Sequence, residues 1–344
     1  MILVTGGAGY IGSHCLVALA AAGYDFVVID NLSNSSRFSL ERAELISGKK
    51  FPFLLGDIRD QEFLRQVFKR YEIDSVIHLA GLKSVAESVQ NPLGYYDCNV
   101  SGTLTLCQSM KEAGVFKLIF SSSSTIYGDP TKVPILEDCT GTPTSPYGMT
   151  KLISERLLQD VAKSDPSWRI GCLRYFNPIG AHESGLIGEA PTGTPNNLMP
   201  YLTQVAVGKR ELLSVYGNDY STLDGTGVRD YIHVMDLAEG HVSVLKWLNE
   251  NSGFDVWNLG TGTGYSVLQI LAAFQSVSYK KIKYEIVGRR PGDIAECFGD
   301  IKKAEKELGW KAKRDLVAMV ADSWNWQSLN PDGYKSEDLK VSMV

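Results

Sequence analysis

Apolar residues in the first half of the chain come in short runs, at 1–4, 26–29, 53–55, 75–78, 117–120 and 169–173, each bounded by polar or glycine-containing stretches. Runs of this length, rich in Val, Ile, Leu and Phe, read as strands buried on both faces. Helical spacing fills the intervals, first at 15–22. Strand and helix in alternation predict an α/β fold built on a doubly wound parallel sheet. Beyond 173 the connections lengthen and fill with Gly, Pro and Asn, and connections of that kind usually carry function. Helices resume at 236–249, 266–276, 302–308 and 316–329, and a strand at 256–259 is placed to rejoin the sheet. The expected division is a first domain over 1–175, a smaller α/β substrate domain over 176–334 that returns segments to the first, and a polar tail at 335–344.

One helix carries candidate chemistry. Ser145 suits its N-cap and Pro146 its first position, and apolar residues recur at Met149, Leu152, Ile153, Leu157 and Val161. Tyr147 and Lys151, one turn apart, therefore share a face. A phenol of pKa near 10 is a poor base, and lowering it to about 7 takes roughly 4 kcal/mol of differential stabilisation. A fixed lysine ammonium supplies part of that and a cationic nicotinamide ring more. A serine hydroxyl from another element could share the proton, with Ser123 and Ser124 of SSSSTIYG as candidates. Taken alone, Tyr-x-x-x-Lys is more often a solvated helix face. The rest of the chain reverses that weighting.

The first strand runs into TGGAGYIGSH, with Gly6, Gly9 and Gly12 ahead of a helix. Strand, glycine turn and helix make the Rossmann arrangement in which backbone approaches a pyrophosphate at a helix start. The second strand ends in Asp30. A carboxylate there accepts both ribose hydroxyls of an adenosine and repels a 2'-phosphate, which favours NAD over NADP. Asp57, past the third strand, lies where an adenine amine could be met. Lys83, in AGLKSV, lies where cofactor phosphates or the substrate could be.

At 344 residues the chain suits one large α/β domain or two intimate ones. A formal net charge of -5 gives no basic field, so neither nucleic acid nor an acidic membrane is an expected partner. No apolar run approaches a membrane span, and the chain enters a strand at Ile2 with no room for a leader, so the expected location is the cytoplasm. The six cysteines have no metal or redox spacing and read as reduced core thiols, and the five histidines are scattered. No metal site is expected.

The stretches TGGAGYIGSH, DNLSNS, GDIRD, HLAGLKSVAESV, SSSSTIYGD, SPYGMTK, RYFNPIGAH, NNLMPY, GNDYSTLDGTGVRDYIHV and RRPGD lie between residues 5 and 293, within a match that runs from residue 1 to about 334. Together they resemble the extended short-chain dehydrogenase/reductases and, among them, the UDP-galactose 4-epimerase family. The resemblance implies Tyr147 as acid/base, Lys151 as its partner and a ribose ligand, and Ser123 as the hydroxyl beside the substrate. For the cofactor it implies Gly6, Gly9, Tyr10, Ile11, Gly12, Asp30, Asn31, Asn34, Asp57, Ile58, Lys83, Lys151 and Tyr175. For the nucleotide-sugar it implies Ser123, Tyr147, Asn177, Asn197, Leu198, Tyr216, Arg229, Arg290 and Asp293. The chemistry of several agrees: arginines fork onto diphosphate oxygens, Tyr216 can pack on a uracil face, and Asn177 can bond polar ligand groups.

Two positions depart from the pattern. Cys98 stands where many relatives carry the first of two asparagines, which puts one contact in doubt. Cys297 stands where members restricted to glucose and galactose carry a tyrosine, which leaves room beside the sugar's 2-position for an N-acetyl group.

The implied activity is interconversion of UDP-galactose and UDP-glucose. C4 of a hexose has no acidic proton, so inversion requires transient oxidation: Tyr147 takes the 4-hydroxyl proton, NAD takes hydride, the keto sugar turns, and hydride returns to the opposite face. A dehydratase would need an acid and a carboxylate after the serine, where this chain has Ser124, Thr125 and Ile126. The other readings are a dehydrogenase with exchangeable cofactor and a non-catalytic sugar-nucleotide sensor. The resemblance also implies a homodimer, with helices near 99–113 and 151–162 as its faces.

Overall fold

A computed structural model describes residues 1–139, 141–290 and 292–334. The expected tail at 335–344 lies outside the described residues. The strands of the first half are β1 (Ile2–Thr5), β2 (Phe26–Asp30), β3 (Phe53–Leu55), β4 (Ser75–His78), β5 (Lys117–Ser123) and β6 (Arg169–Tyr175). They are followed by β7 (Asn177–Ile179), β8 (Leu213–Tyr216), β9 (Val228–His233), β10 (Gly253–Leu259), β11 (Gly264–Ser266), β12 (Tyr284–Val287) and β13 (Glu296–Cys297).

The central sheet has seven parallel strands in the order β10-β6-β5-β4-β1-β2-β3. The late strand rejoins it as predicted, pairing β6 from Gly253↔Arg169 to Leu259↔Tyr175. Alternate side chains of β1 serve opposite layers. Ile2 and Val4 pack with Leu16, Leu19 and Leu245 on one side, and Leu3 with Leu64, Leu106 and Met110 on the other. Each fully buried aliphatic side chain contributes about 1.5–3 kcal/mol, so helices on both faces are what make so apolar a sheet stable.

Strand order reverses between β1 and β4, and the crevice at their carboxyl ends is where ligands of such sheets bind. The chain approaches itself closely there. Gly6 has φ +71°, and a Cβ on it would lie 2.5 Å from the Ala80 nitrogen beyond β4. A Cβ on Gly12 would lie 2.3 Å from the Gly6 oxygen. Space requires both glycines, and at Gly6 the positive φ requires it as well.

Several elements exceed their predicted lengths, three of them at the cleft. The first helix spans Tyr10–Ala21, starting at the glycine turn rather than at 15. Its opening residues carry little apolar signal, and the hydrogen bond from Ser13 N to Gly9 O at 2.9 Å starts it there. β5 and β6 run on past 120 and 173, because ladder pairing continues through Ser121↔Leu173, Ser122↔Arg174 and Ser123↔Tyr175 after the apolar runs end.

Around β9 lies a smaller sheet, with β7 and β13 parallel to it and β11 antiparallel, while β8 pairs with β12. Helices Leu198–Ala206, Val267–Ser278 and Leu316–Leu329 close a separate core over it, containing Leu202, Ile270, Phe274 and Met319. Among the described residues no helix is long and apolar enough to cross a membrane. All six cysteines are free thiols.

Candidate active site

The helix Pro146–Ser164 is capped as predicted: Ser145 Oγ accepts from Gly148 N at 3.2 Å, and Pro146 occupies the first turn. A Cβ on Gly148 would lie 2.9 Å from Thr125 O, so the helix start sits hard against the end of β5. That contact brings Tyr147 beside Ser123, close enough for the serine hydroxyl to act on the phenol. Ser123 Oγ is itself fixed, accepting from Thr125 N at 3.2 Å and Thr125 Oγ1 at 3.0 Å.

Lys151 is buried, and its Nζ donates to Ser121 O at 2.7 Å. Burial lowers its ammonium to about 8. Desolvation also pushes the Tyr147 phenol above its usual value, with Ser123 acting the other way. The expectation that Lys151 draws the phenol down is therefore not met by the protein alone. The ammonium donates to the strand carbonyl and keeps donors free for a ligand, and at the phenol desolvation dominates.

Every residue singled out from the sequence borders one cleft of about 1290 Å³ at the carboxyl ends of the sheet. At the glycine-turn end, Asp30 is 8% exposed and already accepts from Ala8 N at 3.0 Å, Leu32 N at 2.8 Å and Ser35 Oγ at 2.9 Å. A carboxylate has about four acceptor sites, so one remains for a ligand hydroxyl. Asp57 is more committed than expected. Arg59 takes both of its oxygens, at 2.9 and 2.7 Å, and holds its carboxyl well below the usual range, while Asn31 Nδ2 donates to it at 2.9 Å. Ile58 is buried behind it, and Gly9, Ile11 and Asn34 complete this end.

Tyr10 donates its hydroxyl to Gly180 O at 2.7 Å, tying the glycine turn to the later loops. Tyr175 presents its ring to the cleft while its hydroxyl meets His241 Nε2 at 2.5 Å. Ser122 Oγ is buried with no partner among the described residues and belongs to the same cleft wall. The glycine cradle, the unfilled acceptor on Asp30 and the orphaned Ser122 hydroxyl fit a dinucleotide cofactor.

The opposite end is cationic and aromatic. Arg290 lies 4.4 Å over the Tyr216 ring and donates to Asp293 at 3.1 Å, so one face of the tyrosine expected to meet a base already carries a guanidinium. Arg229 donates to Val228 O at 2.8 Å. Register opposite Arg229 falls to Cys297, which is 6% exposed and whose thiol burial pushes up to about 11. Asn177 stands on β7 beside β9, and Leu198 opens its helix.

Two neighbours escaped the sequence reading. Glu189 Oε1 accepts from Lys83 Nζ at 2.8 Å and from Asn197 Nδ2 at 3.0 Å, joining the two expected ligand residues. Its only sequence signal is an acid, one of two with Glu183, in a glycine- and proline-rich connection. Tyr95, fully buried, sets its ring edge-on to Tyr147 with centroids 6.5 Å apart and accepts from Ser84 N at 2.9 Å.

A family profile described as GDP-mannose 4,6 dehydratase matches residues 3–323. The UDP-glucose 4-epimerase of Bacillus subtilis is 58% identical over 337 residues, 98% of this chain and 99% of that protein. The crystal structure of the Bifidobacterium longum UDP-glucose 4-epimerase in complex with NAD+ and UDP superimposes with a TM-score of 0.94 at 54% identity, covering 97% of this chain and 99% of that one. The UDP-Glc/GlcNAc 4-epimerase of Campylobacter jejuni gives 0.83 at 36% identity, over 95% and 98%. With matches of this length and closeness, the chain belongs to the UDP-glucose 4-epimerase family of extended short-chain dehydrogenase/reductases.

Proposed function

We propose that this protein interconverts UDP-galactose and UDP-glucose with NAD as resident cofactor. The observation that carries the reading is Tyr147 beside Ser123, with Lys151 one turn along the same helix, in a single cleft lined also by the glycine turn and by Arg229 and Arg290. Bound at the glycine turn, NAD supplies reversible oxidation at C4 of the sugar, which erases that stereocentre.

The chain's own residues do the rest. Gly6, Gly9 and Gly12 admit the pyrophosphate, Asp30 takes the adenosine ribose, and Lys151 takes the second ribose. Tyr147 removes and returns the 4-hydroxyl proton, with Ser123 bonded to the same oxygen. Arg229 and Arg290 hold the diphosphate from the far end. Inversion then needs a sugar held more loosely than its UDP, and Arg229 and Arg290 place the strong anchoring on the diphosphate.

The namesake reaction of the matching family profile removes water. Beside Ser123 stand Ser124 and Thr125, with Thr125 Oγ1 donating to Ser123, and no carboxylate takes that place. The epimerase reading is favoured accordingly. Its test is purified protein, no added cofactor and UDP-galactose: formation of UDP-glucose without accumulation of reduced nicotinamide is expected. Accumulation that depends on added NAD would mean a dehydrogenase, and tight binding without conversion a sensor.

Cys297 supports acceptance of the N-acetylated UDP-sugars as well, since its small side chain lies against the wall formed by Ile126 and Phe176. Cys297→Tyr is expected to cut turnover of UDP-GalNAc about 100-fold while leaving UDP-galactose within about threefold. Native turnover of UDP-GalNAc thousands of times slower than that of UDP-galactose sinks this extension.

We also place the protein in the cytoplasm as a homodimer. Free cysteines suit a reducing compartment. Leu104, 41% exposed on the helix Gly102–Glu112, and the half-buried Ile153, Leu157 and Val161 on the helix of Tyr147 supply an apolar face for a second copy. Light scattering should return twice the chain mass, and a monomer at micromolar concentration contradicts the assignment.

A further inference from the structure

The two arginines of RRPGD each meet a tyrosine of YGNDY. Arg290 lies over Tyr216, and Arg289 lies 4.1 Å over Tyr220. The second pair is fastened from behind, because Arg289 Nε donates to Asp219 Oδ1 at 2.8 Å and Nη2 to Asp219 O at 2.6 Å. Gly217, at φ +79°, lets the backbone close on the ring; a Cβ there would lie 2.7 Å from Tyr220 Cε2. Tyr220 is thus 7% exposed and forms part of the cleft wall.

Its hydroxyl is buried and has no hydrogen-bond partner among the described residues. Such groups are rare in folded proteins because desolvation without a partner is costly. The charged groups acting on it are Asp293, Arg289, Arg229 and Arg290. Burial and Asp293 raise its pKa while the arginines oppose them, and the net rise leaves it a protonated donor at neutral pH. A donor without a partner, among the cations gathered at one end of a ligand cleft, fits an anionic oxygen better than any group the protein supplies.

We infer that Tyr220 is a further residue of the nucleoside-diphosphate site, its hydroxyl donating to a diphosphate oxygen held by Arg229 and Arg290. The inference rests on the proposed assignment of those two arginines. Because the hydroxyl is a liability without ligand and an asset with it, Tyr220→Phe has opposite effects on stability and affinity.

The experiment compares native protein with Y220F by calorimetric titration with UDP and with uridine, and by thermal unfolding without either. Y220F is expected to bind UDP about tenfold more weakly, consistent with loss of a charge-assisted hydrogen bond. Uridine affinity should stay within about twofold, and the ligand-free melting temperature should be unchanged or higher by about 2 °C. Unchanged UDP affinity in Y220F, with native protein binding UDP, overturns this inference alone. An equal loss for uridine places the contact away from the diphosphate and overturns it too, as does a lower melting temperature, which reveals a protein partner for the hydroxyl. Failure of the native protein to bind UDP overturns the diphosphate assignment and the inference with it.

Discussion

Tyr147→Phe should lower kcat on UDP-galactose by about 1,000-fold and leave UDP affinity within about twofold. The half-buried phenol lies beside Ser123 in the cleft wall, and the substitution removes only its oxygen, keeping the ring that packs edge-on to Tyr95. Fold and nucleotide site are therefore preserved, and the loss isolates proton transfer. The pH dependence follows from the direction of the shift. Burial raises the folded phenol's pKa, so at neutral pH the protein alone holds it protonated, and the fraction able to act as a base grows as pH rises. The lysine, held by its bond to Ser121 O, does not offset that rise in the protein alone. Activation of the base is thereby tied to a cation brought into the cleft, and phenolate absorbance should appear at lower pH in cofactor-loaded than in cofactor-stripped protein. A kcat within tenfold of native in Y147F would remove the tyrosine from the chemistry.

What could be read before any coordinates was set by periodicity and spacing. The central strands were legible because a sheet covered on both faces demands unbroken apolar runs, and the helix of Tyr147 because its cap, proline and apolar stripe agree. Where the signal is polar the reading fell short. Ser121 to Ser123 extend β5 through ladder hydrogen bonds that leave no apolar trace, and Tyr10 to His14 begin a helix with glycine and polar residues. At the site, residue types could be assigned because each carries its own chemistry, but partners could not. Nothing in the spacing shows that Glu189 joins Lys83 to Asn197, that Arg59 claims both oxygens of Asp57, or that Lys151 donates to a strand carbonyl. Those are contacts between segments far apart in sequence, decided by how loops close over the sheet.

Glu155→Ala should destabilise the protein by about 3–5 kcal/mol, the cost of leaving a buried charge unpaired. Glu155 lies one turn past Lys151, and Arg174 is the β6 residue before Tyr175. The pair is bidentate, Nε to Oε1 at 3.0 Å and Nη2 to Oε2 at 2.8 Å, with side chains only 5% and 10% exposed. Burial penalises the guanidinium, yet Glu155 more than offsets this and keeps it firmly charged. Arg174 also donates to Tyr127 hydroxyl at 2.9 Å and Glu137 O at 2.6 Å, so removing the Glu155 carboxylate leaves a fixed cation whose remaining hydrogen-bond partners are neutral groups. Replacing both partners by leucine should recover much of the loss, because two apolar side chains avoid the desolvation that the pair must overcome. Stability and catalysis then separate. The ion pair sets the rotation of the helix against β6, on which the approach of Tyr147 to Ser123 depends, so the double variant should regain its melting temperature while kcat stays about tenfold below native. Denaturant unfolding of the single variant within 1 kcal/mol of native would show that the pair is not holding the helix, and a double variant with native kcat would show that leucine packing positions Tyr147 equally well.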